Sequence, residues 1–173
     1  NNAKQDVFIK DLLTGKVTLV STNGSEGFNA DSDAVAISVD GTKVLFNSAA
    51  NNIVAGDTNN STDAFIKDLE TGEIIRVTTD SGDKEARSGG FAVGMSADGT
   101  KVLFDSLSAD LVANDTNGVR DSFVKNTITG EVIRVTSSKD GTESNGNSEG
   151  YAISADGTKV IFDNIADNLV AGD

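Results

Sequence analysis

The 173-residue chain contains no cysteine, no histidine and no proline. Without Cys there is neither a disulfide framework nor a thiolate metal site. Without His, the commonest general base and the commonest transition-metal ligand are gone. A serine nucleophile would then need a lysine base, and no such pair stands out. Basic residues are scarce, 14 against 27 acidic ones, for a net charge of −13. A surface that acidic repels nucleic acid and anionic lipid and favours solubility and cation binding. No apolar run is long enough for a membrane-spanning helix, and no secretory signal sequence is visible, which leaves the compartment of a mature or excised chain open. These absences predict a non-catalytic protein with neither a nucleic-acid partner nor a membrane insertion.

What is present is turn chemistry. Eighteen Gly are spread among many Asn, Asp, Ser and Thr along the whole length. Between them the apolar residues come in short bursts, and 37% apolar content is enough for a core. This predicts an all-β protein of many short strands.

The bursts repeat. SVDGTKVLF (38–46), SADGTKVLF (96–104) and SADGTKVIF (154–162) are 58 residues apart. DVFIKD (6–11), DAFIKD (63–68) and DSFVKN (121–126) follow at intervals of 57 and 58, each leading to a Thr-Gly turn. A third phrase, NIVAGD (52–57), DLVAND (110–115) and NLVAGD (168–173), is followed in its first two copies by five residues and then the D-x-F motif. After Asp173 the corresponding five are Asn1–Gln5, so the last copy reads into the first. The chain is three whole repeats, circularly permuted, divided as 1–57, 58–115 and 116–173.

Each repeat reads as four strands. In the middle one they are Ala34–Ser38, Lys43–Ser48, Ala64–Leu69 and Glu73–Thr79. Asp-Gly and Thr-Gly at the two short connections supply the positive φ of hairpin turns. Six of the eight Phe occupy two repeat positions: Phe46, Phe104 and Phe162 on strand two, and Phe8, Phe65 and Phe123 on strand three. They are expected to be core rings between sheets. Ala36, Gly94 and Ala152 share one site on strand one, where small residues suit a crowded central axis.

Four-stranded units at this spacing suggest a β-propeller. The phrases S-x-D-G-T-K-V-(L/I)-F, D-x-F-(I/V)-K-(D/N) and T-G-E-x-I-R-V-T also resemble the TolB-like β-propeller repeat (PD40, WD40-like). The resemblance covers nearly the whole chain. It implies a blade of a six-bladed binding platform. The chain departs from the usual pattern in lacking the Pro of S-P-D-G and in a longer loop between strands two and three. The expected location is secreted, periplasmic or on the bacterial cell surface.

The tight turns fall on one face. The 14-residue loop (49–62) and the inter-repeat loops fall on the other, which is the expected ligand face. Oxygen-bearing residues recur in the long loop: Asp57, Asn59 and Asp63; Asp115, Asn117 and Asp121; and, across the permuted junction, Asp173 and Asp6. Such spacing suits Ca²⁺, the only cofactor suggested, although the twelve-position loop with a terminal Glu is not met. The alternative is an Asx-turn, with each carboxylate capping its own loop. Arg76 and Arg134 share one position on strand four and look structural; Arg87 and Arg120 complete the set of four.

Two function classes remain open: a binding module for a protein or glycan, and a purely architectural repeat that self-assembles. An enzyme, lyase or hydrolase, is the least favoured. Three blades fall short of the four or so at the lower end for propellers, whereas two chains joined head to tail give six. A homodimer is the expectation, with the Lys159–Asn164 edge taking strand Asp6–Leu12 of the second chain.

Overall fold

The computed structural model describes residues 3–172. It is all-β, with twelve strands: β1 Phe8–Lys10, β2 Val17–Leu19, β3 Ser32–Ile37, β4 Lys43–Ser48, β5 Asp63–Asp68, β6 Ile74–Arg76, β7 Phe91–Met95, β8 Lys101–Ser106, β9 Asp121–Asn126, β10 Val132–Arg134, β11 Ser148–Ile153 and β12 Val160–Asn164. They form two complete antiparallel sheets, β3-β4-β5-β6 and β7-β8-β9-β10, flanked by two half-sheets, β1-β2 and β11-β12. The repeat is thus expressed as a four-stranded blade in strand order, with strands three and four alone at the start and strands one and two alone at the end. Among the described residues no helix is long and apolar enough to cross a membrane.

Alternation explains the layering. In β4 and β5 the two faces lie against neighbouring sheets, so both strands are buried along almost their whole length. Phe46 stands opposite Phe65, with ring centroids 5.6 Å apart, and Phe104 opposite Phe123 at 5.5 Å. Phe28, from the loop before β3, stacks on Phe46 at 5.8 Å. One core cluster joins Val7, Val20 and Phe28 of the first half-blade to Val44, Phe46 and Phe65. The other joins Leu45 and Ile66 to Val102, Phe104 and Phe123. The cores lie between successive sheets, as burying both faces of a sheet requires.

Three strands differ from the sequence reading: strand three is shifted by one, to Asp63–Asp68, and the other two change more. Strand four stops at Arg76 rather than Thr79, because the Thr79 N–H turns back to the Val77 carbonyl and Thr79 then bridges Glu85. Strand one starts two residues earlier, and its register slips at Val35; the same slip falls at Val93 and Tyr151. A bulge there adds twist to the strand of each blade that carries the small residues. Crowding is mild at Gly94, where an added Cβ would sit 3.8 Å from Ile153, an ordinary contact.

The S-x-D-G-T turn is a local hydrogen-bond device. Ser38 donates its hydroxyl to Asp40 (2.6 Å), and Asp40 accepts the N–H (3.0 Å) and hydroxyl (2.8 Å) of Thr42. Gly41 takes the positive φ of 75° that closes it. The Ser96–Thr100 and Ser154–Thr158 turns repeat the pattern. These bonds hold the Asp40, Asp98 and Asp156 carboxyls down to about 2, the serine hydroxyl contributing most.

Candidate functional site

At the opposite end from these turns, the long loop of each blade lies against the loop that leaves strand four. Gly90 donates its N–H to the Thr62 carbonyl at 2.9 Å, so the two loops share one face. Their junction is built around Asp63, the first residue of β5 and wholly buried. Thr78 donates its hydroxyl to Asp63, and the Asn59 amide donates to it at 3.0 Å and to the Ala86 carbonyl at 2.9 Å. The Asn59 carbonyl oxygen accepts the Ser61 N–H at 2.8 Å, an Asx-turn.

Beside this cap lies an ion cluster. Arg76, at the end of β6, donates to Glu85 and places its other terminal nitrogen 3.9 Å from Asp57. Glu85 also accepts the N–H (3.0 Å) and hydroxyl (2.7 Å) of Thr58. Oxygens of Asp57, Asp63 and Glu85 lie within 4.8 Å of one another, the spacing of a metal-binding triad. Burial pushes the Asp57 carboxyl up against the opposing pull of Arg76, and it pushes Asp63 up as well. At Glu85 burial pulls upward, but the Thr58 bonds and Arg76 outweigh it, and the carboxyl is held down.

The second blade repeats the arrangement. Asn117 donates to Asp121 at 2.8 Å and to the Ser144 carbonyl at 3.0 Å, and Thr136 donates to Asp121. Arg134 reaches Glu143 at 2.8 Å and Asp115 at 3.5 Å. Burial raises the Asp115 carboxyl, and the hydrogen bonds from Thr116 lower Glu143. The first half-blade does not repeat it. Asp6 accepts the Ser21 hydroxyl at 2.6 Å, but Leu19 stands where the blades have Arg, and Gly27 where they have Glu. Asp173 lies outside the described residues.

Of the sequence-derived candidates, Asp57 and Asp63 therefore converge, Asp115 and Asp121 take the same places, and Asn59 and Asn117 serve as donors to the carboxylates. Glu85 and Glu143 were missed, since the inter-repeat loops look ill-matched. The signal was their identical offset of nine residues from Arg76 and Arg134. The arginines are structural, as their shared position suggested.

The same face carries an open recess of ≈ 590 Å³ between the second blade and the last half-blade. The ends of the long loop, Leu107 and Arg120, form one wall, and Asn147, Glu149 and Tyr151 form the other. Tyr151 is exposed and donates to Asp163, a bond that raises its hydroxyl above the usual tyrosine value.

No protein-family model matches the chain, and no curated protein does. Among solved structures, TolB from Acinetobacter baumannii is similar over 91% of this chain and 31% of its own, at 25% identity and a TM-score of 0.50. The chain spans about a third of the length of that protein. The four-stranded antiparallel sheets of this chain are similar to those of a TolB β-propeller.

Proposed function

We propose that the chain is a non-catalytic β-propeller module that binds a protein or glycan partner on its long-loop face. The observation that carries this reading is the recess beside Tyr151. An exposed ring next to Arg120, Glu149 and Asn147 offers a stacking surface and hydrogen-bonding groups of both signs, the equipment of a site for a polar ligand. The loops around it are pinned to one another, so the wall is pre-formed and binding costs little ordering entropy. Non-catalysis is supported by the loop carboxylates that burial raises, Asp57, Asp63 and Asp115, which are held by Asn and Arg side chains and do not line the recess. The similarity to TolB supports a location outside the cytoplasm: secreted, periplasmic or cell-surface.

The test compares the chain with its Arg120→Ala/Tyr151→Ala variant on a glycan array and in pull-downs from a bacterial extract. Ligands held by the chain and lost by the variant support the reading. Equal capture by both, or capture by neither, removes the site from this face.

Calcium is a second reading, favoured by the convergence of Asp57, Asp63 and Glu85. It competes with Arg76 for the same oxygens. A ligand of the native state at a hundredfold excess over Kd adds about 2.7 kcal/mol, so melting in millimolar CaCl₂ and in EDTA decides. Equal midpoints leave arginine as the cation that holds the loops.

A further inference from the structure

Four kinds of contact between successive blades occur twice within the chain, and in each of the four a third member is left unmade. The inner-rim turns are linked by backbone bonds, Val39 N–H to the Ala97 carbonyl and Ala97 N–H to the Ala155 carbonyl, both 2.8 Å. Among the described residues the Ala155 N–H has no acceptor and the Val39 carbonyl no donor. The lysine of F-x-K reaches under the preceding blade: Lys67 Nζ donates to the carbonyls of Val20 (2.9 Å) and Thr22 (2.6 Å), and Lys125 to Thr79 and the Asp80 carbonyl. Lys10, at the same repeat position, is exposed. The strand-two side chain accepts the next blade's strand-one amide, Asn47 from Ala92 at 2.7 Å and Asp105 from Gly150 at 3.0 Å. The third pair, Asp163 and the Ala34 N–H, is not made within the chain, where Asp163 accepts from Tyr151 instead.

The glycine turns tell the same story. An added Cβ at Gly99 would meet Lys43, and one at Gly157 would meet Lys101, each from the preceding blade; at Gly41 it would meet nothing. Lys159 is the lysine without a glycine to cover.

We propose that the open edges of β1 and β12 join those of a second copy of this chain, head to tail, so that two copies close into one six-bladed propeller with two identical seams. The second copy is the occupant because it carries the missing member of every set in one consistent direction. One chain offers Asp163, Lys159 and the Ala155 N–H. The other offers the Ala34 N–H, Gly41 and the Val39 carbonyl, and returns Lys10 to the segment 135–138. The ladder register transfers unchanged. Phe46↔Phe65 and Phe104↔Phe123 become Phe162↔Phe8, and Lys43↔Asp68 and Lys101↔Asn126 become Lys159↔Asp11. The apolar area is available as well, since Phe8 is 59% and Ile161 66% exposed. Apolar, unpaired edges of this kind are ready templates for pairing with another chain. Two copies give six blades, inside the usual range of about four to eight; three copies give about nine, outside it. A twofold ring also repeats the same heterologous contact at both seams and leaves no edge. The inference does not rest on the ligand reading, and its readout is mass.

Light scattering coupled to size exclusion, on the 173-residue chain at micromolar concentration, is expected to give twice the chain mass; a monomer, or any larger mass, overturns the proposal. The Asp11→Cys/Lys159→Cys variant, in a chain with no other cysteine, is expected to oxidise to a covalent two-chain species. A ladder of longer species, or no cross-link, overturns it. Lys10→Ala alters a side chain exposed in the single chain, so its circular dichroism should match the parent. Its dimer dissociation constant is expected to rise at least tenfold while Lys16→Ala leaves that constant unchanged, and equal constants for the two variants overturn the seam.

Discussion

Phe65 and Phe123 are sealed from solvent, whereas Phe8, at the same place in the same motif, is more than half exposed. Lys67 and Lys125 are buried on carbonyl oxygens; Lys10 stands in water. The local sequence is nearly identical in the three copies, so burial here is not a property of the repeat. It is conferred by strand two of the same blade and by strand four of the blade before. A half-blade keeps its hairpin hydrogen bonds but forfeits the two-sided packing that makes a blade stable.

The comparison is broken most easily at the phenylalanines. Phe104→Ala is expected to lose about 3–5 kcal/mol, as buried aromatic truncations do. Phe8→Ala, in dilute chain, should lose less than about 1 kcal/mol, the scale of a surface change. Urea titrations of the two variants check this, and equal losses would mean that the open edge is not open.

Next comes the ion cluster, which the complete blades have and the first half-blade lacks. Arg76→Leu strands Asp57 and Glu85 as neighbouring, partly buried carboxylates and is expected to cost about 2–3 kcal/mol, at or below the lower end of the range for breaking a fully buried pair. Adding Glu85→Gly, which reproduces the Leu19/Gly27 combination of the first copy, should recover part of that loss. A double variant no more stable than Arg76→Leu alone would sink the view that these charges are coupled.

A smaller effect is expected at Lys67. Burial lowers its pKa, yet its ammonium satisfies two carbonyls. Lys67→Met leaves both acceptors unpaired and should cost about 1–3 kcal/mol. Hydrogen exchange would show the loss around β2 as well as around β5; a change confined to β5 would break the link between the blades.

The smallest effect is pH. The folded-state pKa values of Asp40, Asp98 and Asp156 lie below the ordinary 3.8, at about 2, so their contribution is present above that ordinary value and is lost as the pH falls to about 2. Burial raises Asp57, Asp63, Asp105 and Asp115, so their contribution is full below the ordinary value and is lost as the pH rises through their folded values. The melting temperature should rise on acidification from neutrality towards pH 4 and fall below it. A steady decline from pH 7 downward would contradict the burial of those four groups.

Strands two and three were legible because their apolar positions face sheets on both sides and leave short unbroken apolar runs with a Phe at a fixed place, V-L-F in one and F-(I/V) in the other. The bulge at Val35 was not, because the slip changes which residues face each other without changing their types. Asp63 was found as an oxygen in a loop, but its partner Glu85 sits 22 residues on, in a segment whose other residues differ between copies. Nothing in the sequence marks Lys67 as buried, because its acceptors are main-chain carbonyls, and a carbonyl has no letter in the sequence.

The glycine turns at Gly99 and Gly157, each lidded by the lysine of the blade before, carry a consequence for how such chains grow. Each unit offers its successor the same socket and its predecessor the same plug. A duplicated unit dropped anywhere into the gene would therefore find both neighbours already fitted to it, with no contact to invent. The number of units in a chain can then change by whole repeats without altering the contact between any two of them.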